Sequence, residues 1–175
     1  MCVRLLLDAY PKHSLMKPAR PHIRKIRPGE GDRAVKIWRA SVEATHDFLR
    51  PGDIDRLDAL VCDFLPHAPL WVATDKDDRP IGFMGLSEAR MESLFIDPAW
   101  RGVGVGRALV EHALTIYPIL TTEVNEQNGQ AVGFYRRMGF VPTGRTPTDE
   151  NGFPYPLVHL RREHAMDDKT PPAST

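Results

Sequence analysis

The chain reads as a mixed α/β domain, and three features of its sequence say so. Apolar residues at helical spacing alternate with short strand-like runs. The central runs are joined by a turn-rich segment of the kind that makes antiparallel neighbours. A glycine-rich stretch, Arg101-Gly102-Val103-Gly104-Val105-Gly106-Arg107, stands between a strand-like run and a helix-like one.

Residues 1–21 hold Pro11, Pro18 and Pro21 with no clear periodicity and read as a loosely ordered extension, and Met16 could itself be a start. Residues 23–26 form a first strand, closed by Pro28-Gly29. Ala34, Ile37, Trp38, Ser41, Val42 and Thr45 then recur at helical spacing and predict a helix over 30–46. After Pro51-Gly52, a second amphipathic helix is marked by Ile54, Leu57, Leu60, Val61, Phe64 and Leu65 and stops near Pro66. Residues 70–74 and 81–87 are strands of a hairpin turning through 75–80, and 91–96 is the third antiparallel strand, ended by Asp97-Pro98. Past the glycine stretch a helix starts near Ala108, shows Val110, Ala113, Leu114 and Tyr117 on its inner face, and stops at Pro118. A strand over 119–124, a helix over 130–138 ended by Gly139, and strands over 141–145 and 157–160 complete the order βααβββαβαββ. Residues 22–163 read as one domain and 164–175, ending Lys-Thr-Pro-Pro-Ala-Ser-Thr, as a disordered tail.

Composition narrows the function. With 23 basic and 23 acidic residues the formal net charge is zero, which gives no bulk electrostatic case for nucleic acid or an anionic membrane. No apolar run approaches the length of a membrane span, so the expected location is the cytoplasm. Two cysteines and scattered histidines show neither a disulfide framework nor metal-ligand spacing.

The glycine stretch carries more. Closely spaced glycines let a backbone approach a phosphate without Cβ interference, and the helix that follows aims free N–H groups and its positive dipole end at an anion. A diphosphate ligand is expected. ATP or GTP of the Walker type is disfavoured, because Gly106 is followed by Arg107-Ala108 and not Lys-Ser/Thr. A dinucleotide fingerprint fails as well, since its third glycine would fall at Arg107 or Leu109.

What the stretch does resemble is the coenzyme A loop of the GCN5-related N-acetyltransferases, Arg/Gln-x-x-Gly-x-Gly/Ala, read here as Arg101, Gly104 and Gly106. Asn128-Gly129-Gln130-Ala131-Val132-Gly133-Phe134-Tyr135, followed by Arg136-Arg137-Met138-Gly139-Phe140, is similar to that family's second signature, in the right order and at a plausible separation. The resemblance implies the family's fold, an α/β domain of the α+β type with a central mixed, mostly antiparallel sheet flanked by helices, and covers roughly residues 23–161. It also implies an acetyl-CoA-dependent N-acetyltransferase that moves the acetyl group directly to a primary amine.

The residue roles follow by position. Leu94, Phe95 and Ile96 would bond the pantetheine amides through their backbone, and the N–H groups of Arg101, Gly102, Val103, Gly104, Val105, Gly106 and Arg107 would take the pyrophosphate. Arg101 and Arg107 would add charge-assisted contacts. Asn128 matches a pantetheine-contacting asparagine, although a plain helix N-cap is equally good physics. Tyr135 would be the general acid for the thiolate and Glu92 the base for the amine. Glu92 shares a face with Leu94 and Ile96 if the strand alternates, and serves as a base if that face is core; otherwise it is a solvated acid. Glu43, His46 and Asp47 either line the acceptor pocket or sit on an exposed helix end. The acceptor is a protein lysine or a small molecule, a homodimer is open because dimers are common in the family, and no metal is called for. The competing reading is a non-catalytic acyl-CoA sensor on the same fold, which would have no need of a phenol at position 135.

Overall fold

The computed structural model describes residues 20–149 and 152–163; the expected N-terminal extension, but for its last two residues, and the expected tail lie outside them. Seven strands and four helices run in the order β1 His22–Lys25, α1 Gly31–Glu43, α2 Pro51–Phe64, β2 Trp71–Thr74, β3 Pro80–Ser87, β4 Arg90–Ile96, α3 Val105–Ile116, β5 Ile119–Asn125, α4 Gly129–Arg137, β6 Val141–Thr146 and β7 Leu157–Glu163. Short 3-10 turns follow α2 at Leu65–His67 and β4 at Pro98–Trp100. The sheet order is β1-β2-β3-β4-β5-β7-β6, antiparallel at every junction but β4–β5, which is parallel. No helix among the described residues is long and apolar enough to cross a membrane.

Alternation along the strands builds a core on each face. Ala73, Met84 and Met91 pack with Leu109, Val110, Ala113 and Leu114 of α3 and with Tyr135 and Met138 of the α4 region. Val72 and Phe83, one residue out of phase, pack with Ala34, Ile37, Trp38 and Val42 of α1. The sheet is therefore the middle of three layers, its faces set by a period of two.

The elements start and stop for local reasons. Pro51 opens α2 at a position where its missing N–H costs no helical bond. Asn128 caps α4, its side-chain oxygen accepting from the Ala131 N–H at 3.0 Å. Helix α3 begins at Val105, three residues before the expected start, because Gly104 takes a left-handed φ of 97° that closes the loop while Val105 already buries its side chain. Helix α1 ends at Glu43, and Ala44, Thr45 and His46 leave it through a turn in which the N–H groups of Thr45 and His46 both donate to the Val42 carbonyl.

Gly31 joins α1 to the turn after α2. A Cβ there would stand 2.4 Å from Pro66 Cα, closer than backbone can yield to. Gly31→Ala should cost about 1–3 kcal/mol through overpacking, read as a lower urea midpoint. Gly52, whose Cβ would meet nothing within 4 Å, is the control and should tolerate alanine. Equal midpoints for the two variants would contradict this packing.

Candidate functional site

Two strands that part company create the site. β4 stays bonded to β3 as far as Ile96, but to β5 only at Arg90↔Thr121 and Met91↔Thr122. Beyond Met91 the β5-facing edge of β4 has no strand partner among the described residues. A cavity of about 620 Å³ occupies the region where the strands diverge, within the size range of small-ligand sites. Leu94, Phe95 and Ile96 line it from β4, Phe134 and Tyr135 from α4, and Ser41, Thr45 and His46 from the end of α1. The glycine loop closes the remaining side with Arg101, Gly102, Gly104, Val105, Gly106 and Arg107; Val103 is turned outward and does not line it.

The loop has the properties an anion site needs. Gly102 and Gly104 have φ of 76° and 97°, and a Cβ at either would meet no atom of the described residues within 4 Å. Glycine is thus demanded by backbone conformation, and the space over the loop stays open. No side chain caps α3, so the N–H groups of its first turn are left for a ligand. Gly106 has a different reason: its Cβ would lie 3.3 Å from the Phe134 ring. A coenzyme A diphosphate fits this cradle.

The two arginines flanking the loop do not behave alike. Arg107 reaches back to Glu111 at 3.6 Å and is well exposed. Arg101, expected to face the same diphosphate, instead donates from Nη2 to the Ser41 hydroxyl at 2.8 Å and to its carbonyl at 3.2 Å. Ser41 in turn donates to the Ile96 carbonyl at 3.2 Å, which ties α1 to the end of β4. Burial holds the Arg101 guanidinium below its ordinary pKa, with Asp97 opposing that shift.

Tyr135 sits deep in the cavity wall between the rings of Phe134 and Phe140, with centroids 5.2 and 5.3 Å away. Burial pushes its phenol up to about 12, and its hydroxyl is hydrogen-bonded with Thr122. Thr122 is fixed by donating to the Met91 carbonyl at 2.8 Å. Asn128 lines the cavity while its side-chain oxygen caps α4, as the N-cap reading expected, which leaves its amide nitrogen to donate.

Glu92 stands apart. Register along β3 passes from Gly85↔Ser93 to Leu86↔Met91, leaving Glu92 as the extra residue of a bulge. The bulge breaks the alternation that would have set Glu92 beside Leu94 and Ile96. Its carboxylate accepts from Arg90 Nε at 2.8 Å, is well exposed, and is not among the residues lining the cavity. Of the helix-end trio, His46 lines the cavity and Glu43 and Asp47 do not. Ser41 and Thr45 were missed as site residues. The signal for them was present, since both are polar at positions where the first helix's apolar stripe should continue.

Residues 55–157 match the family described as Acetyltransferase (GNAT) domain. The peptidyl-lysine N-acetyltransferase YjaB of Salmonella typhimurium is 58% identical over 139 residues, 79% of this chain and 96% of that protein. The solution structure of apo-form YjaB from Escherichia coli is similar with a TM-score of 0.79 and 56% identity, covering 82% of this chain and 98% of that one. The PaiA N-acetyltransferase of Thermoplasma acidophilum in complex with coenzyme A shares the fold at 17% identity and a TM-score of 0.68, covering 83% of this chain and 100% of that one.

The burial of Tyr135 has a measurable consequence. An exposed phenol ionises near pH 10, whereas Tyr135 should hold its proton to about pH 12. Its folded pKa is raised, so the stability it contributes is complete below pH 10 and is lost as pH climbs from there through its folded value. In an alkaline absorbance titration, Tyr135→Phe should leave the signal up to pH 10.5 unchanged and remove only a late step. Loss of amplitude near pH 10 would contradict the placement.

Proposed function

The chain belongs to the GNAT family of acetyltransferases and is an acetyl-CoA-dependent N-acetyltransferase; from that premise we propose that its acceptor is the side-chain amine of a lysine in a polypeptide and that Tyr135 protonates the departing thiolate. The acceptor assignment draws on the likeness to the peptidyl-lysine acetyltransferase YjaB along most of both chains. The assignment of Tyr135 rests on one observation, a buried phenol in the wall of the same cavity whose mouth is the glycine loop.

Each group then has a task. The open edge of Leu94, Phe95 and Ile96 supplies backbone N–H and C=O groups to the pantetheine amides, in the way the missing β5 would have taken them. The first-turn N–H groups of α3 and the loop from Arg101 to Arg107 hold the diphosphate, with Asn128 donating deeper in the cleft. Coenzyme A supplies the thioester and the thiolate leaving group. Tyr135 stays protonated at working pH and gives its proton to sulfur. A phenol raised to about 12 faces a free thiol value near 8.5, an uphill step. The same desolvation raises the sulfur beside it, which narrows the gap. Glu92, committed to Arg90 outside the cavity, is not needed for any of these steps. A sensor that only binds acyl-CoA is not favoured, because it has no use for a buried acid at this place.

Two measurements test the reading. The wild-type protein should acetylate a lysine-containing peptide, and Tyr135→Phe should lower kcat by about ten- to a thousand-fold with acetyl-CoA affinity unchanged. Full turnover by Tyr135→Phe would remove the tyrosine from the mechanism. Gly104→Val puts a β-branched residue at a φ of 97°, and should abolish acetyl-CoA binding in calorimetry while the chain still folds. A folded variant with wild-type affinity would refute the cradle.

A further inference from the structure

Amide formation requires a group that takes a proton from the amine, and the residues around the cavity restrict which it is. Among the described residues that line it, Arg101, Arg107 and Arg137 are donors with no lone pair to offer, and Tyr135 is an acid. His46 is the one lining side chain that can accept a proton near neutral pH.

Its hydrogen bonds decide which nitrogen is free. The Thr45 hydroxyl has a single hydrogen and donates it to the Ser41 carbonyl at 2.8 Å. Toward His46 Nδ1, 2.9 Å away, the same oxygen can therefore only accept. Nδ1 carries the ring proton, and in the neutral ring Nε2 holds the lone pair. The ring is held from the other side by Phe48, centroids 5.3 Å apart. Through Thr45 and Ser41 the imidazole is linked to the Ile96 carbonyl, at the end of the strand whose open edge faces the thioester site.

We propose that His46 is the proton acceptor of the transfer, with Nε2 taking the amine proton and Thr45 holding the ring in the Nδ1–H form. The proposal rests on the acetyl-transfer reading. The acceptor reacts as the neutral amine. As its nitrogen forms the new C–N bond it becomes cationic, and His46 Nε2 removes one of its protons. The C–S bond breaks, the electron pair stays on sulfur, and Tyr135 gives the thiolate a proton. Proton exchange with water then returns both side chains to their starting forms, so the balance is amine plus acetyl-CoA to amide plus free coenzyme A.

The charges facing the ring are consistent with this role. Burial is the largest influence on His46 and lowers its pKa, Arg101 from the loop after β4 lowers it further, and Asp47 and the Val42 carbonyl oppose them. Burial and Arg101 thus favour the neutral ring, the form whose lone pair is available.

Two readouts test it. In nitrogen-detected NMR of the ligand-free protein, His46 should be the Nδ1–H tautomer and titrate below a free imidazole, and Thr45→Val should abolish the tautomer preference. An Nε2–H ring overturns the proposal whatever the acceptor proves to be. In kinetics with a lysine peptide, log kcat/KM should rise with a slope of two below the His46 pKa, one unit from the amine and one from the ring, and a slope of one above it. His46→Gln should lower kcat by about 10²- to 10⁴-fold, leave KM for acetyl-CoA unchanged and show a slope of one throughout, and added imidazole should restore part of the rate to His46→Ala. An active wild type whose His46→Gln variant keeps its kcat and its acid limb defeats this proposal alone, whereas a wild type that acetylates no amine defeats the acetyl-transfer reading and this proposal with it.

Discussion

Everything at the site depends on β4 and β5 holding together for two residue pairs and then separating. A buried strand edge ordinarily cannot be left open, because each unpaired N–H or C=O carries a desolvation penalty. This edge is tolerable because it lines a cavity in which water or a ligand amide can serve as the missing strand. The loop after β4 and the helix α3 that follows then bring a second set of unpaired N–H groups to the same opening. One departure from regular pairing thus brings an open strand edge and the uncapped start of α3 to the same cavity.

The remaining walls are held to that opening by short polar links. Ser41 bridges α1 to the Ile96 carbonyl and receives Arg101, and Thr122 bridges β5 to the Met91 carbonyl where the two strands last touch. Tyr135 is bonded to Thr122, so the phenol is positioned from the apex of the divergence itself. Arg101 has two uses for one guanidinium. It donates to Ser41 here, and a diphosphate at the loop would compete for it, which would loosen the link to α1 and lift a positive charge away from His46.

The sequence made the frame legible because its breaks are chemical. Pro28-Gly29, Pro51-Gly52, Pro118 and Gly139 separate the elements, and the apolar spacing between them distinguishes strand from helix. The loop could be read down to individual glycines, though the reasons differ: Gly104 for its left-handed backbone, Gly106 for the Phe134 ring. What stayed hidden depends on register and direction. The bulge at Glu92 is set by pairing with β3 and leaves no mark on composition, so alternation could not say which face Glu92 takes; in the structure its carboxylate is exposed and paired with Arg90. The direction of Arg101 and the place of His46 depend on where α1 ends over the sheet. Apolar spacing ran that helix through His46, and only the structure shows the chain leaving it after Glu43 to form one wall of the cleft.

The central claim is that acetyl-CoA lies along the open edge of β4 with its diphosphate on the loop before α3. Backbone amide spectra recorded during titration with acetyl-CoA test it most directly. The account predicts that the largest shifts fall on Leu94–Ile96, on 102–107 and on the Asn128 side chain, with β6 and the α2 surface unaffected. Saturable shifts centred elsewhere, with those amides unmoved, would contradict it.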